Sequence, residues 1–224
     1  MCFSAGASFA GGAIIATIGV ATAQKVIHPS QRLFASIPIL FSFQQFAEGI
    51  LWLTLKSGGD DRLQFFATYF FLFMALIAWP TLIPLSMYKL EKIKRRRKIL
   101  LPFLAGGTLL STYYAWCLVT HSVSPQINQF HIMYSNNFPQ RLQMAAFVVY
   151  VAVTLTPLFI SSVRRMKLFG SLMFVSCLVT GVFYAETLTS VWCFFAALIS
   201  VVIYVIIAEP VAQPSILKLL RIKS

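Results

Sequence analysis

The segment Phe41-Ser42-Phe43-Gln44-Gln45-Phe46-Ala47-Glu48-Gly49-Ile50-Leu51-Trp52 sets a carboxylate and two amides inside an apolar run from Leu33 to Leu55. A run of about 23 residues crosses a bilayer as one helix. In a helix, Gln44, Glu48 and Trp52 recur every four positions on one stripe, with Gln45 beside it. Hydrocarbon solvates none of these groups. An ionisable side chain at such depth costs about 2.5–3.5 kcal/mol on insertion scales, so it faces a protein interior or a wet cavity. The segment therefore reads as a membrane helix carrying a buried polar feature.

Working outward, the composition agrees. Of the 224 residues, 58% are hydrophobic and 11% charged, and the mean hydropathy is +0.80. Soluble domains carry roughly 25% charged residues, so this chain belongs to the membrane class. Residues 1–224 read as a single all-α transmembrane domain of seven helices, with spans near 4–23, 33–55, 63–88, 99–120, 142–163, 168–184 and 188–208. No basic n-region precedes the first apolar stretch, so the N-terminus does not read as a cleavable signal peptide. In the first span Ser8, Gly12 and Ala16 form a stripe of small residues, which predicts a centrally packed helix. Pro80 and Pro84 should loosen the third span and free carbonyls that need partners. The long loop 121–141, rich in aromatics, should fold down as a lid or plug. Spans six and seven should form a tight hairpin around Ala185-Glu186-Thr187. The basic amphipathic end, Ile216 to Ile222, should lie on headgroups. Arg62-Leu63-Gln64 and Arg141-Leu142-Gln143 open two spans alike, through an internal repeat or through common hydropathy.

The basic residues orient the chain. With the N-terminus outside, every Lys and Arg except Lys56, Arg62 and Arg141 falls on a cytoplasmic segment, as the positive-inside rule demands. The expectation is N-out, C-in, multi-pass, in a bacterial inner (cytoplasmic) membrane. The formal charge of +12 then lies against the anionic inner leaflet of the lipid bilayer, not against nucleic acid. Oligomeric state is left open.

This topology gathers the polar residues toward the outer half. A small-molecule or ion ligand would be held by Glu48, oriented by Gln44 and Gln45, and walled by Trp52, Tyr113, Tyr184 and Trp192, with Ser4, Glu186 and Cys193 on the same side. Transport is the natural extension of such a pocket. A stripe of Ser190, Cys193, Ala197, Ser200 and Tyr204 in the last span would face it. The alternative is a zinc-dependent intramembrane hydrolase of a lipid or amide, with Glu48, Glu186, His121, His131 and Cys2 as ligands. Seven-helix hydrolases of the alkaline-ceramidase and adiponectin-receptor group share the plan or its inverse, but their intramembrane Ser, Asp and paired-His pattern is absent. A third reading makes Glu48 and the glutamines a structural hydrogen-bond knot. Trp52, Trp79 and Trp192 also suit interface anchors. The last span holds no lysine, which excludes a retinal Schiff base.

The opening Met1-Cys2-Phe3-Ser4-Ala5, the block Gln44-Gln45-x-x-Glu48-Gly49-x-x-Trp52, and Ser190-Val191-Trp192-Cys193-Phe194-Phe195-Ala196-Ala197 resemble a family of bacterial polytopic membrane proteins with no established activity. The resemblance implies a shared seven-helix fold. It also implies that Cys2, Ser4, Gln45, Glu48, Trp192 and Cys193 belong to one feature. Whether Cys2 and Cys193 pair stays open.

Overall fold

The computed structural model describes residues 4–58 and 60–209; Cys2 and the basic end from Ile216 to Ile222 lie outside them. Seven helical spans are long and apolar enough to cross a membrane. Large apolar side chains are exposed around the bundle, Leu109, Val119, Met144, Val182 and Phe183 among them. A water-soluble surface does not carry such patches. The chain is a multi-pass membrane protein.

Helix α1 spans Ala5–Gln24, with Ser4 as N-cap accepting from the Ala7 N–H. A single turn, α2 (Arg32–Ala35), leads into α3 (Ile37–Ser57), which ends at Gly58 in the left-handed conformation. The third span is α4 (Asp61–Leu72), a π-turn (Phe73–Ala78) and α5 (Trp79–Leu90). Then follow α6 (Lys94–Thr120), strands β1 (Val123–Asn128) and β2 (His131–Asn136), α7 (Gln140–Ile160) and α8 (Met166–Phe183). A 3₁₀ turn at Ala185–Thr187 makes the expected tight link to α9 (Leu188–Ile199), which breaks at Ser200 before α10 (Val201–Ala208).

The central helix is α3, not α1. The apolar window of α1 is 28% buried, against 61% for the span containing α3. Helix α1 lies at the edge, and its buried stripe is Ser8, Gly12, Ile15, Gly19 and Thr22. Glycines set the close approach: a Cβ on Gly19 would lie 2.6 Å from Ile39, and one on Gly49 would lie 2.9 Å from the Phe9 ring. The small-residue face packs chiefly on α3, with α10 as a lesser neighbour, and lipid takes the rest.

The third span breaks where the prolines require it. A π-turn precedes Pro80, which has no N–H to give. The carbonyls left over find side chains: Tyr150 Oη donates to Ala75 O at 2.7 Å, and Ser111 Oγ to Ile77 O at 2.7 Å. Pro84 likewise cannot donate to Pro80 O, and Gly107 of α6 packs directly on that carbonyl, where a Cβ would sit 1.9 Å away. Helix α7, like the third span, carries a proline toward its inner end, Pro157, but it has no π-turn.

Loop 121–141 does fold onto the bundle, and it does so as an antiparallel hairpin pairing Val123 with Asn136 and Asn128 with His131. Ile132 is buried beside Leu51, Trp52 and Ala67, and Tyr134 stacks on Phe71 at 4.9 Å. At the opposite, basic end, Lys94–Lys98 form the first turn of α6 instead of a loop. Their long stems let the charges reach past the apolar zone, and Arg96 Nη1 donates to Ile160 O at 3.2 Å. Glu91 is almost fully buried there. It accepts from Ser162 N–H and Ser162 Oγ at 2.7 Å each, and from Ile93 N–H at 2.9 Å. Arg165 meets Glu209 at 2.7 Å.

Two outcomes follow. Gly107→Ala forces α5 and α6 apart and should lower the melting temperature of the solubilised protein, with a cost at or above the about 1–3 kcal/mol typical of overpacking. Burial pushes the Glu91 carboxyl up, but the Ser162 and Ile93 hydrogen bonds and the nearby Arg96 charge outweigh it, so its pKa falls below the ordinary 4.5. A lowered folded-state pKa means stability that is present above the unfolded value and lost as pH falls through the folded one. Thermal denaturation from pH 7 to below about 4.5 should therefore show an acid loss that Glu91→Gln flattens, and that variant should already be less stable at pH 7.

Candidate functional site

The polar stripe of α3 is fully buried: Gln44, Gln45 and Glu48 each have no exposed surface. Their partners come from helices distant in sequence. Gln44 Oε1 accepts from Trp79 Nε1 at 3.0 Å, and its Nε2 donates to Cys193 Sγ at 3.2 Å. Trp79 in turn stacks on Phe41, ring centroids 4.1 Å apart. Glu48 Oε1 accepts a short hydrogen bond from Ser190 Oγ of α9. The small polar stripe of the last span thus points inward, with Ser190, Cys193, Ala197 and Ser200 all buried.

Gln45 differs from its neighbour. Among the described residues neither its Oε1 nor its Nε2 has a hydrogen-bond partner. Across α1, Gly12 meets Gln45 and Phe46, and Phe9 meets Gly49, which brings Ser8 to the same level. The Ser8 hydroxyl and the Trp52 indole N–H are also buried without partners. The Lys56 ammonium lies 5.2 Å over the Trp52 ring. Three unanswered polar side chains thus lie around Gln45–Trp52, on the inner faces of α1 and α3.

The remaining expected site residues go elsewhere. Glu186 accepts from Asn128 Nδ2 at 2.8 Å, and the His131 ring meets Tyr184 edge-on at 5.0 Å. These residues line a separate crevice of about 370 Å³ at the hairpin end. Burial holds the His131 imidazole below its usual range. His121 packs against Trp116 and Phe138. Tyr113 lines a cavity under the hairpin with Tyr114 and Tyr134. Ser4 serves as the α1 cap. Cys117, Cys177 and Cys193 are buried thiols.

The family model that matches the chain is described as a family of unknown function, DUF6629, and it spans residues 1–215. The chain belongs to this family. No curated protein and no solved structure matches it. Membership in DUF6629 carries no reaction, so the chemistry rests on the geometry above.

That geometry corrects three expectations. Among the described residues no three His, Cys, Asp or Glu side chains come close enough to hold a metal, so Glu48, Glu186, His121 and His131 do not form the expected zinc set; Cys2 lies outside those residues. Among the described residues Glu48 has no exposed surface and lines none of the larger cavities between the helices or under the hairpin, so the expected outward opening does not appear there. Trp52, Trp79 and Trp192 are core residues, not interface anchors, whereas Trp116 is exposed. Ser8 and Tyr150 were missed as partners. Ser8 read only as a small packing residue, and nothing local distinguishes Tyr150 from the other tyrosines.

Gln44 is architectural by this accounting. Trp79→Phe strands its buried carbonyl oxygen and should cost roughly 1–3 kcal/mol of stability. Removing both partners, in Gln44→Leu/Trp79→Phe, should recover part of that loss in a double-mutant thermal series.

Proposed function

We propose that this membrane protein binds a small molecule or a cation, a proton included, at the cluster of Gln45, Glu48, Ser8 and Ser190 between α1, α3 and α9. The observation that carries the reading is Gln45, a fully buried primary amide with neither end partnered. Each unanswered buried group costs about 1–3 kcal/mol, and the neighbouring Ser8 and Trp52 add to the same deficit. A ligand with both donors and acceptors, or a cation attended by water, would offset it. Glu48 supplies the negative charge, and the Ser190 hydroxyl positions that carboxylate. Gln44 stays outside the set, because its amide is committed to Trp79 and Cys193.

The site is occluded, so entry requires α1 or the hairpin to move. Release to the other side would make the protein a transporter, and a flux assay separates that from binding. In the same reading the hairpin end faces outward and the basic end contacts the anionic cytoplasmic leaflet of a bacterial inner membrane.

The test uses purified protein in nanodiscs with Na⁺, K⁺, ammonium and methylammonium as probes. One of them should raise the melting temperature saturably, by the equivalent of about 2.7 kcal/mol at one hundred times Kd. Glu48→Gln should abolish that response. Gln45→Leu should abolish it too, while leaving the unliganded protein as stable as before or more so, as expected where binding groups are held unsatisfied. No response to any probe between pH 5 and 8, together with destabilisation by Gln45→Leu, would return the cluster to pure architecture.

A further inference from the structure

Three cavities follow one another through the seam between α7 and α9. The first, about 200 Å³, lies under the β-hairpin and presents Tyr113, Tyr134, Asn136, Gln143 and Thr189. The second, about 100 Å³, shares Leu76, Tyr114 and Thr189 with it. The third, about 40 Å³, shares Tyr150, Trp192 and Cys193 with the second, and ends among Phe41, Leu158, Phe169 and Met173. Shared lining residues set them end to end, polar at the hairpin and apolar in the bundle.

The lining selects the occupant. Among the described residues no Asp, Glu, Lys, Arg or His lines any of the three, so a phosphate or carboxylate head would be buried without a counter-charge, which is costly. Hydroxyls and amides in the first chamber suit a neutral head. Deeper in, the polar atoms are already engaged: Tyr150 with Ala75 O, Thr154 with Tyr150 O, Cys193 with Gln44. Trp192 Nε1 is the exception. The residue is 7% exposed, its indole nitrogen is buried and has no partner among the described residues, and the residue lines both inner chambers. The innermost space exceeds the about 10–15 Å³ that one water needs, but a buried water wants 2–4 polar partners and finds one donor. Hydrocarbon suits that end better than water.

We infer that the seam holds a neutral single-chain lipid of the monoacylglycerol class. Its hydroxyl head lies beneath the hairpin, its ester carbonyl accepts from Trp192 Nε1, and the first part of its acyl chain runs past Tyr150 toward Met173. The seam lies beyond Cys193 from the Gln45–Glu48 cluster, and this inference does not depend on that cluster binding anything.

The experiment titrates a monoacylglycerol with a dibrominated acyl chain into detergent-solubilised Trp116→Phe protein, since Trp116 is exposed and any bound lipid would quench it. Tryptophan fluorescence should fall saturably, and the unbrominated lipid should compete the effect away. Ala196→Leu, which fills the innermost chamber, should raise the half-saturation concentration at least tenfold. Ala146→Leu, which fills the first, should do the same and stands in if the other variant does not fold. A brominated fatty-acid soap should bind at least tenfold more weakly. Quenching that never saturates, that is unchanged in both filled variants, or that is as strong with the soap overturns the inference. The readout is quenching and not a cation-induced thermal shift, so its failure is distinguishable from failure of the Glu48 reading.

Discussion

Within the apolar slab no water is available to answer a dipole, and the hydrogen bond from Ser190 to Glu48 is where that constraint bears hardest. A carboxylate in the middle of α3 obliges another helix to present a donor at its level. Helix α9 does so, and Cys193, one turn further along α9, meets Gln44, one turn earlier on α3. Two contacts along one face set the register of these helices. The arrangement of α1 against the other side of α3 then follows from glycines, which let backbones meet where side chains would not fit.

The same accounting applies to the backbone. Prolines at positions 80 and 84 remove two donors from a helix that lipid cannot rescue. The π-turn before them moves the resulting deficit to Ala75 and Ile77, where Tyr150 and Ser111 supply hydroxyls. A break in one span thus becomes the anchor for two others. Tyr150 also meets Trp192 edge-on at 5.6 Å, and both line the inner cavities of the α7–α9 seam.

Against this background the unanswered groups stand out. A bundle that answers the carbonyls freed at its π-turn leaves the Gln45 amide, the Ser8 hydroxyl and the indole N–H groups of Trp52 and Trp192 without partners. Buried polar groups are hydrogen-bonded in the great majority of cases. Those near Gln45 carry the proposed polar or cationic site, and the one at Trp192 carries the inferred lipid seam.

The spans, the hairpin at Ala185–Thr187, the freed carbonyls of the third span and the importance of the Gln44–Trp52 block were all legible in the linear chain. Each follows from local length, hydropathy or the missing N–H of proline, and these need no knowledge of neighbours. The strands at 123–136 were not legible, because Pro125 and a polar pattern hide a pairing that depends on the opposite strand. Nor was the division of labour between Gln44 and Gln45. Adjacent glutamines are chemically identical, and a turn of about 100° per residue sends one toward Trp79 and Cys193 and the other toward α1. What the sequence determined by itself is that polar groups would be buried in an apolar span. Only the packing of the helices decided which were answered and which were not, because in a membrane a hydrogen bond needs a partner brought by another segment of chain.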